Sequence, residues 1–187
     1  MRNLVKIGTV DTLPALAEIR DEMWLADTYL KDYPQGPFGE VKSIILRFPP
    51  RINFATEEER AAYAATHDIW ECEWLPVSRE LTETKQLVFD LARNLEATRI
   101  GRVIINRMGP GDKIERHADT PAHANYWTRM HIVMHALPGN DFFCGSEMVN
   151  MLTDEVWYLA NENEHEVINN STDPRIHLVI DLKTDLK

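Results

Sequence analysis

The chain has 187 residues, of which 44% are hydrophobic, as expected for one globular domain with a sizeable core. Its formal net charge of −10 disfavours nucleic acid as a partner, because phosphate backbones repel a surface of that sign. We expect no membrane partner, since no apolar run approaches the roughly 18 residues of a membrane span, and the N-terminus lacks the apolar core of a signal peptide. These features predict a cytoplasmic protein.

Helical patterns dominate the first part of the chain. Helices are predicted in residues 11–26, in residues 56–66, which begin with a threonine that can cap a helix, and in residues 78–97, where leucines recur at helical spacing and Ser78 is a possible cap. Residues 41–48 (VKSIILRF) are predicted to form an early strand that the following Pro-Pro pair ends.

From residue 100 onward the pattern changes to short β-rich runs separated by turn residues. These runs are IGRVIINRM (100–108), RMHIVMHAL (129–137), DFFCGSEMVNML (141–152), EVWYLAN (155–161), HEVINN (165–170) and RIHLVIDLK (175–183). Their spacing favours a sandwich or jelly roll over βαβ units. We therefore predict one α+β, mainly β domain over residues 1–187, with a helix-rich part at 1–99 and a β core at 100–183.

The residues His117-Ala118-Asp119 offer an imidazole and a carboxylate that can bind one cation from the same side. His165, on another predicted strand, would complete three ligands on one face of an octahedral ion, with the other positions open for water, O₂ and a chelating substrate. A His-x-Asp pair alone is weak support for a metal site, because a turn histidine beside a solvated aspartate gives the same letters.

Two arginines on predicted strands have mostly apolar neighbours. Arg175 stands at the start of the last run, and Arg129 shares a strand face with His131. A buried guanidinium needs an anion, which for Arg175 is either a ligand or a protein carboxylate. His131 either faces the same ligand or is a core histidine whose hydrogen bonds are satisfied within the protein. A metal beside cationic anchors suits a small dicarboxylate that chelates at one end, and 2-oxoglutarate has that form.

The order of these motifs resembles the aspartyl/asparaginyl β-hydroxylase family of Fe(II)/2-oxoglutarate-dependent oxygenases. The resemblance covers roughly residues 100 to 183 and is carried by spacing as well as order. Its markers are the Pro110-Gly111 turn, HAD (117–119), TRMH (128–131), EHEVINN (164–170) and RIHLVIDL (175–182). The first hundred residues carry little of it beyond LRF (46–48).

The resemblance implies a double-stranded β-helix, a jelly-roll or cupin-like barrel with the N-terminal helices packed outside. His117, Asp119 and His165 would form the catalytic centre that binds Fe(II). With 2-oxoglutarate and O₂ as co-substrates, such an enzyme would hydroxylate a C–H bond and release succinate and CO₂. The preference for iron over manganese or cobalt rests on the resemblance alone, because this ligand set accepts each of those ions.

The resemblance also implies roles for residues that bind 2-oxoglutarate. Arg175 would pair with the distal carboxylate, while Arg129 and His131 would reach the carboxylate nearer the metal. Asn106 stands where the family often has a hydroxyl residue that touches the distal carboxylate, and an amide can donate the same hydrogen bond.

The substrate is expected to be a small molecule or a short peptide: a free amino acid, a peptide, or an aspartyl or asparaginyl side chain. The segment between His117 and Arg129 either lines the substrate entrance or is a plain surface loop. Aromatic residues of the first part, which either shape the pocket or pack the core, are Trp24, Tyr33, Phe38, Trp70 and Trp74. Two other classes stay open: a cupin-like metalloprotein with chemistry that needs no keto acid, and a non-catalytic binding domain on the same barrel.

Overall fold

Two antiparallel sheets build the fold in the computed structural model, which describes residues 2–25, 29 and 36–186. The strands are β1 (Leu4–Thr9), β2 (Lys42–Phe48), β3 (Glu73–Trp74), β4 (Arg99–Met108), β5 (Lys113–His117), β6 (Thr128–His135), β7 (Asn140–Cys144), β8 (Glu147–Asn150), β9 (Glu155–Leu159), β10 (His165–Asn169) and β11 (Arg175–Lys183). The larger sheet has seven strands in the order β1-β9-β6-β11-β4-β2-β3, and the smaller has four in the order β5-β10-β7-β8.

The inner faces of the two sheets share one hydrophobic cluster. Met108 and Val133 of the larger sheet pack in it with Phe142 and Val167 of the smaller sheet. Alternation along each strand turns these apolar side chains inward. The predicted double-stranded β-helix is therefore confirmed.

The described helices are α1 (Leu13–Ala17), α2 (Glu57–Thr66), α3 (Thr82–Asn94) and α4 (Pro121–Tyr126). Two of them, α1 and α3, cover the outer face of the larger sheet. Ala15 of α1 and Val88 of α3 share a core cluster with Met130 and Leu178 of that sheet, so these helices lie outside the barrel as predicted. None of the helices that the structure describes is long and apolar enough to cross a bilayer.

The ends of the helices show which capping expectations hold. The Thr56 hydroxyl accepts a hydrogen bond from the Glu59 N–H at 3.2 Å, so the predicted cap of α2 is confirmed. The prediction of Ser78 as a cap of α3 is wrong, because residues Pro76–Arg79 form a 3₁₀ turn before the helix begins. The Glu18 carboxylate, far away in sequence, accepts instead from the N–H groups at the start of α3.

The first hundred residues contribute more strand than their sequence pattern indicates. The predicted strand is β2, but β1 and β3 also join the larger sheet, where β1 pairs with β9. The run 141–152 forms a hairpin of β7 and β8 around Gly145, whose φ of +56° favours glycine. Strands from residues 1–99 and from residues 100–183 share the larger sheet, so the two parts form a continuous framework. The assignment of residues 1–187 to a single domain stays a prediction.

Candidate metal centre

The three predicted metal ligands come together where β5 and β10 pair. His117 is the last residue of β5 and lies directly opposite His165, the first residue of β10. The two imidazole centroids are 4.3 Å apart. Asp119 follows β5, and one ligand atom from each of the three residues lies within 4.8 Å of the others.

Backbone carbonyls orient both imidazoles. His117 Nδ1 lies 2.7 Å from the Glu115 carbonyl oxygen, and His165 Nδ1 lies 2.9 Å from the Asn163 carbonyl oxygen. A carbonyl oxygen only accepts, so each Nδ1 carries a hydrogen, and Nε2 is the atom with which either ring can bind a metal. This arrangement is usual behind metal-binding histidines, because it fixes both tautomer and ring direction.

Neighbouring side chains hold Asp119 in the same way. Its Oδ2 accepts from Asn161 Nδ2 at 2.6 Å and pairs with Arg129 Nη1 at 2.9 Å, which leaves Oδ1 for a cation. Burial raises the pKa of Asp119, but the Arg129 charge and the Asn161 hydrogen bond lower this pKa by a larger amount, so the net shift is downward. Burial lowers the pKa of His165 to about 4. A carboxylate and neutral imidazoles on one face fit Fe(II) well.

A cavity of about 60 Å³, here called the metal cavity, adjoins the two histidines. Its lining includes Phe38, Asn106, His117, Arg129, His131, Phe142, His165 and Arg175. The four residues predicted to bind 2-oxoglutarate therefore all face the space beside the candidate ligands. They come from β4, β6 and β11, three neighbouring strands of the larger sheet.

Arg175 is a buried cation without a protein counter-ion. Only 2% of it is exposed, and among the described residues no carboxylate forms an ion pair with it. Its Nη2 donates to His177 Nδ1 at 2.8 Å, and its Nη1 lies 3.4 Å from the Met108 sulfur. Burial lowers its pKa to about 9, so the guanidinium is still charged at neutral pH. The alternative in which a protein carboxylate neutralises Arg175 therefore has no support among the described residues.

Arg129 has the opposite surroundings. Its Nε lies 2.8 Å from Asp181 Oδ1, its Nη1 pairs with Asp119, and Asp181 is only 1% exposed. Arg129 and Asp181 are direct partners in the register of β6 and β11. His123 Nε2 adds a contact of 3.1 Å to Asp181 Oδ2. Arg129 thus holds a candidate metal ligand in place, and its contact with 2-oxoglutarate stays a prediction.

His131 and Asn106 keep polar atoms for a ligand. Among the described residues His131 Nε2 is buried without a hydrogen-bond partner, which argues against a satisfied core histidine. Burial, followed by the charges of Arg175 and Arg129, holds the pKa of His131 well below its ordinary value. Asn106 Oδ1 accepts from Ser43 Oγ at 2.7 Å, so its Nδ2 remains the donor for a cavity occupant.

Two residues of the site received no role from the sequence. His177 supports Arg175, and Asp181 supports Arg129. Both follow Arg175 at even spacing along β11, and alternate residues of a strand share a face. That spacing was the signal that could have found them.

The aromatic residues of the first part divide between cavity and core. Phe38 lines the metal cavity, and Trp70 lines a larger neighbouring cavity. Trp24 is buried in the core cluster that also contains Ala15, and Trp74 packs against the same cluster. Tyr33 lies outside the described residues.

Comparisons with known proteins bear on the family and the fold of the chain. The family model described as aspartyl/asparaginyl beta-hydroxylase matches residues 56–185. A crystal structure of an oxidoreductase of the 2OG-Fe(II) oxygenase family from Burkholderia pseudomallei is similar with a TM-score of 0.51 at 15% identity, covering 97% of this chain and 84% of that one. A double-stranded β-helix protein from Klebsiella pneumoniae gives 0.38 at 14% identity, covering 49% and 74%. No curated protein sequence matches.

The structure from Burkholderia pseudomallei, at 15% identity, bears on the fold alone. The family model spans more than half of the chain, from the start of α2 to the end of β11, and includes His117, Asp119 and His165. The chain belongs to the aspartyl/asparaginyl β-hydroxylase family, and this membership supports an oxygenase of the hydroxylase type.

Proposed function

We propose that the protein is an Fe(II)- and 2-oxoglutarate-dependent dioxygenase that hydroxylates a C–H bond of an amino acid, a short peptide, or an aspartyl- or asparaginyl-type side chain. One oxygen atom of O₂ enters succinate as CO₂ leaves, and the other enters the hydroxylated product. The observation that carries the proposal is the buried Arg175 guanidinium, which lacks a carboxylate partner among the described residues and shares the metal cavity with His117 and His165.

The candidate ligands have separate tasks. His117 and His165 would offer Nε2, and Asp119 would offer Oδ1, to an Fe(II) ion that supplies the oxidising chemistry when bound. Asn161 and Arg129 hold the Asp119 carboxylate through its other oxygen, so the carboxylate cannot rotate freely. His117 and His165 are strand-end residues, and the Asp119 N–H donates to the Asn161 carbonyl oxygen at 3.0 Å, so the backbone holds all three ligands in position.

The other end of the metal cavity binds the co-substrate. Arg175 would hold the distal carboxylate of 2-oxoglutarate, with His177 keeping the guanidinium in position. Asn106 Nδ2 would donate to the same carboxylate. His131 and Arg129 would contact the carboxylate nearer the metal. A dianion fits here because the Arg175 charge is otherwise uncompensated among the described residues.

The test uses His165→Ala and His117→Ala, with His135→Ala as the matched control. His135 lies near Asp173 and is not part of the metal cavity. With Fe(II), 2-oxoglutarate and O₂, we expect the first two variants to lose succinate formation and to bind Fe(II) more weakly by calorimetry. The control should keep both. Normal turnover by either ligand variant would refute the assignment.

The competing class is a cupin-like metalloprotein whose chemistry needs no keto acid. In such a protein no keto-acid carboxylate would compensate the charge of the Arg175 guanidinium in the cavity. Titration of the anaerobic Fe(II) protein with 2-oxoglutarate distinguishes the two, because chelation of Fe(II) by a keto acid gives a weak visible absorption band. An iron-loaded protein that develops no such band would favour the competing class, and so would the absence of succinate. Succinate formation would argue against a non-catalytic binding domain.

For the setting of the reaction we propose a cytoplasmic location and a small-molecule or short-peptide substrate. The net charge of −10 supports the exclusion of nucleic acid. Fractionation of the native host cells would test the location.

A further inference from the structure

A second, larger cavity adjoins the metal centre and has a different chemical character. It has a volume of about 450 Å³, within the usual range for small-molecule sites, and is here called the outer cavity. Its lining includes Phe48, Phe54, Tyr63, Trp70, Arg102 and His123. The metal cavity holds only about 60 Å³, which is too little for a co-substrate and a substrate together.

The outer cavity reaches the metal centre through the segment that follows Asp119. Thr120, Ala122 and His123 line it. His123 Nε2 lies 3.9 Å from Asp119 Oδ2. An occupant of the outer cavity is therefore separated from a candidate metal ligand by a single side chain.

Both cavities also lie on the same face of the larger sheet. Arg102 and Asn106 are four residues apart on β4 with Ile104 between them, and alternate residues of a strand share a face. Contacts agree with this: Phe48 packs against Ile104 and also lies under the Arg102 guanidinium. Asn106 lines the metal cavity and Arg102 the outer cavity, so β4 connects the two sites.

The charge of the outer cavity is positive although the chain as a whole carries −10. Arg51, Arg60 and Arg102 line it, against the acids Asp68 and Glu71. Those two acids are already paired, since both contact the guanidinium of Arg99. Among these cations, Arg102 has no ion pair with a described carboxylate, so its charge is available to an anion.

Arg102 is the anchor that this anion would find. Its Cζ lies 5.2 Å from the centroid of the Phe48 ring, and among the described residues no carboxylate forms an ion pair with it. It is half-buried, so a bound carboxylate would be partly shielded from water, which strengthens the pairing. Arg60, by comparison, is exposed, and its Nη1 lies 3.6 Å from Oε1 of Glu57 on the same helix.

The walls of the outer cavity are aromatic. Phe54 and Tyr63 pack with ring centroids 5.4 Å apart, and Trp70 stacks on Tyr126 at 4.6 Å. Flat apolar faces of this kind favour contact with an apolar or aromatic body. The Trp70 ring also lies 6.2 Å from the His123 ring, so the aromatic wall extends toward the metal centre.

We propose that the outer cavity is the substrate site, and that it takes a small carboxylate with an apolar or aromatic body, held by Arg102 with its body against Phe54, Tyr63 and Trp70. The proposal rests on the proposed function, because it places the oxidised C–H bond on the side of the body nearest Asp119. It narrows the substrate class from any amino acid or peptide to apolar or aromatic amino acids and short peptides with a free C-terminal carboxylate.

The test measures binding rather than turnover. The full chain is titrated by calorimetry with N-acetyl-phenylalanine, N-acetyl-tryptophan and N-acetyl-leucine, each beside its uncharged amide. Titrations are run without metal and again with Fe(II) and 2-oxoglutarate under anaerobic conditions. We expect at least one of the acids to bind about ten-fold or more tightly than its amide, because only the acid can pair with the guanidinium.

Two variants and one control locate the site. Arg102→Gln should abolish the preference for acid over amide, while Arg93→Gln should keep it, since Arg93 is exposed on α3 and paired with Asp90. Ala64→Trp adds a large side chain at an exposed position of α2 that lines the outer cavity, so it should block acid and amide alike without altering β4. If no acid is preferred over its amide, or if Arg102→Gln keeps the preference, the proposal is wrong.

The two proposals fail in different ways. Acid binding that depends on Arg102, without succinate from 2-oxoglutarate, would leave the outer cavity as a site and remove the oxygenase chemistry. Succinate formation without any such binding would keep the chemistry and remove the outer cavity as its substrate site.

Discussion

Arg129 and Arg175 both line the metal cavity, yet they differ in the protein groups beside their charges. Arg129 lies between Asp181 and Asp119, with contacts of 2.8 and 2.9 Å. Burial lowers the pKa of Arg129, but the two carboxylates raise it by more. Arg175 has only neutral neighbours among the described residues, and burial alone lowers its pKa to about 9.

The difference indicates that the Arg129 charge stabilises the fold, whereas the Arg175 charge is available to bind a ligand. A buried ion pair that loses one partner leaves an uncompensated charge, which is strongly destabilising. A buried cation that never had a partner already carries that cost in the ligand-free protein. Removal of a group beside Arg129 should therefore lower stability, whereas removal of the Arg175 charge should leave stability unchanged or raise it.

The largest effect on stability is expected for Asp181→Asn. The change leaves the buried Arg129 with Asp119 as its remaining carboxylate partner, and breaking a buried pair in this way costs about 3–5 kcal/mol. Urea denaturation of the metal-free variant measures the loss. Asp90→Asn is the control, because its pair with Arg93 is exposed and such pairs contribute less than about 1 kcal/mol. Equal losses in the two variants would contradict the distinction.

The same comparison has a pH dependence with a definite sign. Burial raises the pKa of Asp181, but Arg129 and His123 lower it by more, so its carboxyl titrates below the ordinary range in the folded protein. A lowered carboxyl pKa stabilises the fold above the unfolded value of about 3.9, and the contribution is lost as the pH falls below it. The stability gap between wild type and Asp181→Asn should narrow between about pH 5 and pH 3. A gap that stays constant would rule out this ionisation as its source.

Arg175→Met is expected to act on the ligand and to spare the fold. Without the guanidinium, 2-oxoglutarate should bind about 100-fold more weakly, since a buried carboxylate would lose its charged partner. Without ligand, the free energy of unfolding should be unchanged or higher, because an uncompensated buried charge is gone. Calorimetry and urea denaturation on the same preparation give both values. A loss of stability comparable to that of Asp181→Asn would mean that Arg175 is structural as well.

The fold could be predicted where burial leaves a pattern in the sequence. Buried strands such as β4 and β11 read as apolar runs, and both are confirmed. Edge strands carry a weaker signal: only Leu4 is buried in β1, and β5 has Ile114 as its buried residue among charged neighbours.

The site could be predicted where its residues are close in sequence. His117 and Asp119 are two positions apart, so their joint use of one cation follows from spacing. The pairing of Arg129 with Asp181 depends on the register between β6 and β11, which no local pattern specifies. The same limit applies to His123, which reaches Asp181 only because α4 folds back over β6.

The smallest effect is expected at Asn106, which lines the metal cavity from β4, the strand next to the one that carries Arg175. Ser43 holds its amide through Oδ1, so Nδ2 can donate one hydrogen bond to a carboxylate that Arg175 already binds. Asn106→Ala should therefore weaken 2-oxoglutarate binding by about ten-fold or less, while Asn106→Ser should restore part of the loss, because a hydroxyl can donate the same bond. Calorimetric titration of both variants measures the difference. A loss as large as that of Arg175→Met would mean that Asn106 orients the guanidinium or the metal ligands, and that the anion site does not depend on Arg175 alone.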